Sequence, residues 1–357
     1  MNAKQSIEHP ALDASLSNDY RSLLSKRLLI LAIFVIAIGC SLLLDFTLGP
    51  AGLSVSDLWQ TLVHRESVSP SQAVIVWNIR LPQALMAVCV GAALGLAGAE
   101  MQTILNNPLA SPFTLGLSHA AAFGAALAIV LNLGIPSVPS EWLISINAFV
   151  FVLAATLLLD VVARLRQATT SAIVLFGIAL GFTFQALVSL VQFVASEDTL
   201  SGLVFWTMGS LARATWLKLG ILALALAIAL PLSLRRAWQL TALRLGEDRA
   251  ASFGINVKRL RLGTLLRVSI LTALAVAFVG TIGFIGLVGP HISRLIFGED
   301  HRFYLPASAL AGALILSLAS VASKNLLPGV LIPVGIVTAL VGIPFFLTVV
   351  LRNKGGL

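Results

Sequence analysis

The feature that constrains this chain most is a series of apolar stretches, each about 20 residues long and almost free of charge: 28–48, 80–104, 113–131, 142–163, 171–195, 216–234, 264–282, 305–324 and 333–351. A helix rises about 1.5 Å per residue, so about 20 such residues cross the roughly 30 Å hydrocarbon core of a bilayer. The pattern predicts an all-α, polytopic membrane protein. Composition agrees, because 11% of the residues are charged where ordinary globular chains have about a quarter.

A shorter apolar piece at 286–297 would rise only about 18 Å as a helix. It is either a half-span or an extension of the helix before it, and loop charge chooses between the two. With the amino terminus inside and this piece counted as a crossing, 18 of the 23 Lys and Arg residues fall on the inner side. Only Arg65, Arg80, Arg213, Lys218 and Lys324 remain outside. That is the positive-inside bias of cytoplasmic loops. It predicts ten transmembrane helices, with a short eighth crossing and both termini cytoplasmic. The net charge of +8 then reports topology and needs no nucleic acid. Residues 1–27 are polar, and no small-residue cleavage site follows the first apolar run. They are expected to form a cytoplasmic segment ahead of a retained first span, with 28–354 as a single transmembrane domain.

One apolar run, "VGTIGFIGLVGPHISRL", carries Gly280, Gly283, Gly286 and Gly289. No lysine follows it and no strand pattern precedes it, so it is neither a phosphate-binding loop nor a dinucleotide fingerprint. Glycines three apart admit a second backbone closely, while Gly289–Pro290 interrupts a hydrogen-bond ladder. A helix break or a tight packing site is expected there. No metalloprotease, nucleophile-elbow or clustered-aspartate motif occurs, so no catalytic residue and no metal site are expected. Asp45, Glu100 and Asp160 are the few acids within or beside spans, and their scarcity argues against an ion-coupled secondary transporter. His64 and His301 fall in loops. His119, among small residues in "LGLSHAAAFGAAL", either hydrogen-bonds within the bundle or lines a path for substrate.

The largest inner segment, about 235–263, is basic overall. Its centre, Leu243 to Val257, is a short helix-like piece bracketed by Gly246 and Gly254, with Glu247 and Asp248 in the first turn, where the helix dipole favours negative charge. Held outside the membrane between two spans, it is either a lever or a solvated loop facing anionic lipid. On the other side, 50–78 is the longest polar connection, with "LSVSDLWQ" as a short interfacial helix. Arg80 then opens the next span, placed to pair with an acidic docking protein or to snorkel to headgroups.

Several stretches together resemble one family. "RLPQALMAVCVGAALGLAGAEMQTILNNPLASPFTLGLSHAAAFGAAL", "LGEDRAASFGINV", "GTIGFIGLVGPHISRLIFGEDHRFYLPASALAGA" and "PVGIVTALVGIPFFLTVVLR" are similar to the FecCD family, the type II ABC importer permeases for iron-siderophores, haem and vitamin B12. The resemblance implies a permease of the bacterial inner membrane that moves a ferric siderophore or related iron chelate from periplasm to cytoplasm, with haem or cobalamin as alternatives. It implies a second permease subunit, identical or paralogous, and a periplasmic binding protein. Two cytoplasmic ATPases are also implied; they would hold the ATP and magnesium, leaving this chain without a cofactor. Helices two to five and seven to ten would form an inverted repeat, with Asn107–Pro108 and Gly289–Pro290 in comparable places. Leu245, Gly246, Glu247, Asp248, Ala250, Ala251 and Gly254 would belong to the ATPase-coupling helix, and Arg80 and Lys324 to the docking face. The chain departs from the family pattern at Gln83, where a second docking arginine is usual. It departs again at His119, where Gly or Ser is common, and at Leu331, where a glutamate is usual.

Overall fold

The computed structural model describes residues 10–48, 54–64, 66, 68–133, 137–165, 170–327 and 329–352. Arg65 and the first nine residues of the polar N-terminal segment lie outside this set. Among the described residues there is no β-strand. In chain order the helices are α1 (Pro10–Thr47), α2 (Val55–Val63), α3 (Pro70–Val74), α4 (Leu81–Ile104), α5 (Leu117–Val130), α6 (Ser140–Leu165), α7 (Thr170–Phe193) and α8 (Glu197–Thr207). They continue with α9 (Trp216–Arg235), α10 (Ala237–Leu243), α11 (Glu247–Ser252), α12 (Val257–Val279), α13 (Ile285–Phe297), α14 (His301–Asn325) and α15 (Val334–Arg352). Residues Ile75–Arg80 form a π-helical turn that joins α3 to α4 in one rod.

Seven stretches, in α1, α3–α4, α6, α7, α9, α12 and α14, are long and apolar enough to cross a membrane; α5, α13 and Val334–Thr348 of α15 are shorter apolar helices. Local chemistry starts these elements where the chain supplies oxygen acceptors. Thr215, Asn256 and Asp300 cap α9, α12 and α14 by accepting backbone N–H groups, and Ser54 with Asp57 forms a reciprocal cap at α2, satisfying donors that a helix start leaves open.

The polar N-terminal segment is helical from Pro10 onward, continuous with the first span. Of the two expectations for Gly289–Pro290 the break is not seen, because α13 runs through both residues, and the tight packing is, because a Cβ on Gly289 would press on the backbone of Ser308 and Gly312 in α14. The break comes earlier, between Val279 and Ile285, where Gly280 takes φ 82°. Pro290 costs the helix one N–H donor, and the Gly286 carbonyl four residues back lies 3.5 Å from Gln102 Nε2 of α4.

At the centre, α4 is buried along almost its whole length and packs against α14, α12 and α13. In lipid no hydrophobic force draws helices together, so contact depends on how closely their backbones approach. Gly91 of α4 and Gly312 of α14 face one another so tightly that a Cβ on either would strike the other's backbone carbonyl. Around this centre α1, α6, α7 and α9 turn Leu43, Val150, Phe182 and Leu224 outward, as lipid-facing helices do.

Candidate coupling site and helix break

At one end of the bundle, α10 and α11 lie in the segment that the sequence leaves open between a lever and a solvated loop. Gly246 (φ 107°) sets the corner before α11 and Gly254 (φ 78°) the one after it, conformations that side-chain-bearing residues rarely adopt. Ala250 is buried, while Leu245, Glu247, Asp248, Ala251 and Gly254 are at least partly exposed or flank the exposed face. Trp238 is 62% exposed and its ring lies 6.2 Å from that of Phe253. These two rings make an apolar cap on a segment that is otherwise basic, and Leu245 is exposed as well.

The segment is not a loose loop. Glu247 pairs with Arg261 of α12 at 2.6 Å, and Arg261 also donates to the Ile104 carbonyl at the end of α4. Arg244 binds the Asn106 side chain and pairs with Glu299 at 2.9 Å. Glu299 pairs in turn with Arg294 of α13 at 3.1 Å. Arg294 donates to Gln102 Oε1 (3.0 Å) and to the Tyr304 hydroxyl (2.9 Å). Charge-assisted hydrogen bonds, about twice as strong as neutral ones, thus join α10–α11 to α12, to the end of α4 and to the turn before α14, and the Arg294–Glu299 ion pair extends the link to α13. Below this layer Glu100 pairs with Arg267 at 2.5 Å, its carboxylate fully buried.

His301, expected in a loop, is the buried first residue of α14. Its ring lies within hydrogen-bond distance of Thr103 (2.7 Å), Thr241 (3.1 Å) and the Glu299 carbonyl (2.9 Å), so it stitches α4, α10 and α14 together. Beside it Arg302 donates to Asp300, which holds the Asp300 carboxyl below its ordinary range, and Arg27 of α1 pairs with the same carboxylate at 3.0 Å. Arg244, Glu299, Arg294, Gln102 and His301 were not legible as a group. Their partners lie up to 202 residues apart, and only the basic character of the segment hinted at an acidic counterpart.

The break between α12 and α13 is held from two sides. Ser210 N donates to the Val279 carbonyl at 2.6 Å, and Thr281 Oγ1 bonds the Thr207 carbonyl. Phe284 then starts α13 with φ 67°, a left-handed conformation that costs a bulky residue about 1–3 kcal/mol and persists only where its surroundings enforce it. Its ring is 6.1 Å from Phe113, whose other neighbour is His119 at 5.8 Å. His119 Nδ1 is buried without a hydrogen-bond partner. The candidate pathway histidine thus stands one ring away from the break. Asn107 and Pro108 follow the end of α4, where Asn107 Oδ1 accepts the Leu109 N–H at 2.9 Å and Asn106 takes φ 43°.

At the opposite end the two cations expected on a docking face are not free. Arg80 is 5% exposed and donates to the Phe46 carbonyl at 3.0 Å, and Lys324 pairs with Asp45 at 3.0 Å. Both are drawn onto the end of α1, because Asp45 is fully buried there and needs a counter-charge. Gln83 is buried one turn on from Arg80, and Leu331 is exposed.

A helical bundle with many apolar spans, a helix broken beside a half-buried aromatic pair and an ion-paired extramembrane segment are features of a membrane permease. Residues 31–352 match the FecCD transport family, and the chain belongs to it. It is 36% identical over 329 residues to the hemin transport system permease protein HmuU of Yersinia pestis, covering 91% of this chain and 95% of that one. To the vitamin B12 import system permease protein BtuC of Vibrio cholerae it is 37% identical over 303 residues, covering 84% and 89%. A solved structure described as an inward-facing conformation of a metal-chelate type ABC transporter superposes with a TM-score of 0.78 at 31% identity, covering 90% of this chain and 99% of that one. The chain is an ABC transporter permease of this family.

Proposed function

We propose that this chain is one of two permease subunits, identical or paralogous, of an importer in the bacterial inner membrane. In this reading it spans the membrane ten times with both termini cytoplasmic, and helices two to five and seven to ten form an inverted repeat. Its cargo is a metal chelate of the ferric-siderophore type, delivered by a periplasmic binding protein, and relatives named for hemin and vitamin B12 transport support that class of cargo. Two partner ATPases supply ATP and magnesium, and the α10–α11 segment is where they act. The observation that carries the reading is the exposed Trp238–Phe253 pair, with Leu245 also exposed, on a segment tied through Glu247 to Arg261 of α12 and through Arg244 to Asn106 after α4 and Glu299 after α13. An apolar cap offers a docking face, and the ion pairs pass its displacement to the helices.

Docking of the binding protein falls to the surface around Arg80 and Lys324, with the two cations acting from beneath it and not as free surface charges. Proteoliposomes containing the assembled transporter test the lever directly. Replacing Glu247 and Asp248 together with lysine reverses charge at the first turn of α11, and ATP hydrolysis is expected to continue while chelate uptake falls about tenfold, a loss of roughly 1.4 kcal/mol in coupling. Uptake at the wild-type rate in that variant sinks the proposal.

A further inference from the structure

At the end of the bundle opposite α10–α11 lies a cavity of about 290 Å³ between the first turns of α6 and α9 and the last turn of α12. Two cations line it. Lys218 has a side chain only 4% exposed, yet among the described residues its ammonium makes a single hydrogen bond, to the Arg213 carbonyl at 3.3 Å. Arg213 stacks over Trp206 at 6.0 Å and donates to its carbonyl at 3.5 Å. The one acid in the lining is Glu141, 4.0 Å from Lys218 and 76% exposed at the rim. A strongly hydrated ammonium is costly to bury without partners, and a loose pair with an exposed carboxylate offsets little of that cost. Both α6 and α9 begin at the cavity, so the positive ends of two long helix dipoles add to the same field.

The walls say where the anion comes from. Away from the cavity, α6 and α9 carry exposed Val150, Leu217 and Leu224, so they meet lipid along their length. Trp216, half out at the start of α9, and Trp142 beside Lys218 sit where aromatic residues gather at a bilayer interface. The cavity therefore lies at headgroup depth, whichever way the chain is oriented. We propose that it is a binding site for a phosphate-bearing anion, the headgroup of an acidic phospholipid or a free phosphate ion, held by Lys218 and Arg213.

The test uses the full-length protein purified in detergent, with bound lipid counted by native mass spectrometry after titration with phosphatidylglycerol or phosphatidylcholine. The wild type is expected to retain phosphatidylglycerol about fivefold better, the scale of one basic residue near a membrane surface. Lys218→Met should bring the two lipids level, and Lys218→Arg should keep the preference. Because Lys218→Met alters a buried position, Glu141→Gln provides the independent check. It removes an exposed competing acid, and should raise phosphatidylglycerol retention. Displacement by millimolar inorganic phosphate would support the site with the soluble ion as occupant, and resistance to it would support the headgroup. Equal retention of the two lipids by the wild type, or no gain in Glu141→Gln, overturns the proposal.

Discussion

The two ends of the bundle handle charge in opposite ways. Around α10–α11 two carboxylates are each shared by two arginines, Arg244 and Arg294 on Glu299 and Arg27 and Arg302 on Asp300, with Arg261 on Glu247 beside them. At the far end Lys324 and Arg80 are held separately on the end of α1, and Lys218 has only a loose pair with an exposed rim acid. A carboxylate shared by two arginines transmits displacement, because moving one partner unbalances the other. Isolated pairs lock one contact each and leave their neighbours alone. The contrast fits a protein driven from one end and held, or occupied by ligand, at the other.

The largest effect should come from the deepest pair at the linked end. Glu100→Ala strands Arg267, which is mostly buried, and about 3–5 kcal/mol of stability should be lost, read by thermal unfolding in detergent. At the far end the locks should behave as a closed unit. Asp45→Leu with Lys324→Met should cost less than the sum of the single changes by about 1–3 kcal/mol, and strict additivity would blur the contrast between the ends.

Glu299→Gln should have a modest effect on folding, about 1 kcal/mol or less, because the carboxylate is 37% exposed. Its effect on coupling should be larger, with uptake falling several-fold at constant ATP hydrolysis, since both Arg244 and Arg294 lose their shared anion. Wild-type coupling in that variant would break the idea of a serial linkage. The smallest effect belongs to Asp300. Its carboxyl is held below its ordinary value, chiefly by the Arg302 side chain, so its contribution is present above the usual carboxylate range and lost as pH falls through the lowered value. Asp300→Asn should remove that part of the acid sensitivity, at most about 1 kcal/mol, seen as a flatter dependence of unfolding temperature on pH.

The sequence located most of the helices within a few residues. The expected spans at 142–163 and 216–234 appear as Ser140–Leu165 and Trp216–Arg235, and within the expected interfacial helix Ser54 caps α2, which begins at Val55. It also located the short helix α11, with Gly246 and Gly254 at its corners. It left a break and a tight packing site both open at Gly289–Pro290, and the packing is what formed. Pro290 instead sits in a helix where Gln102 stands by the orphaned Gly286 carbonyl, while Gly280 bends where α8 and its following turn grip the chain.

By itself, then, the sequence determined that this chain is a bundle of membrane helices with a basic segment at one end, and which family it belongs to. Apolar length, loop charge and motif order are local properties, and bilayer thickness converts them into architecture without reference to partners. Tertiary structure alone decided which charges meet. Glu299 reaches Arg244 across 55 positions and Glu100 reaches Arg267 across 167, and no local rule sets such pairs. They exist because glycine faces such as Gly91 and Gly312 let the central helices close, and a charge buried in low dielectric must then find its opposite.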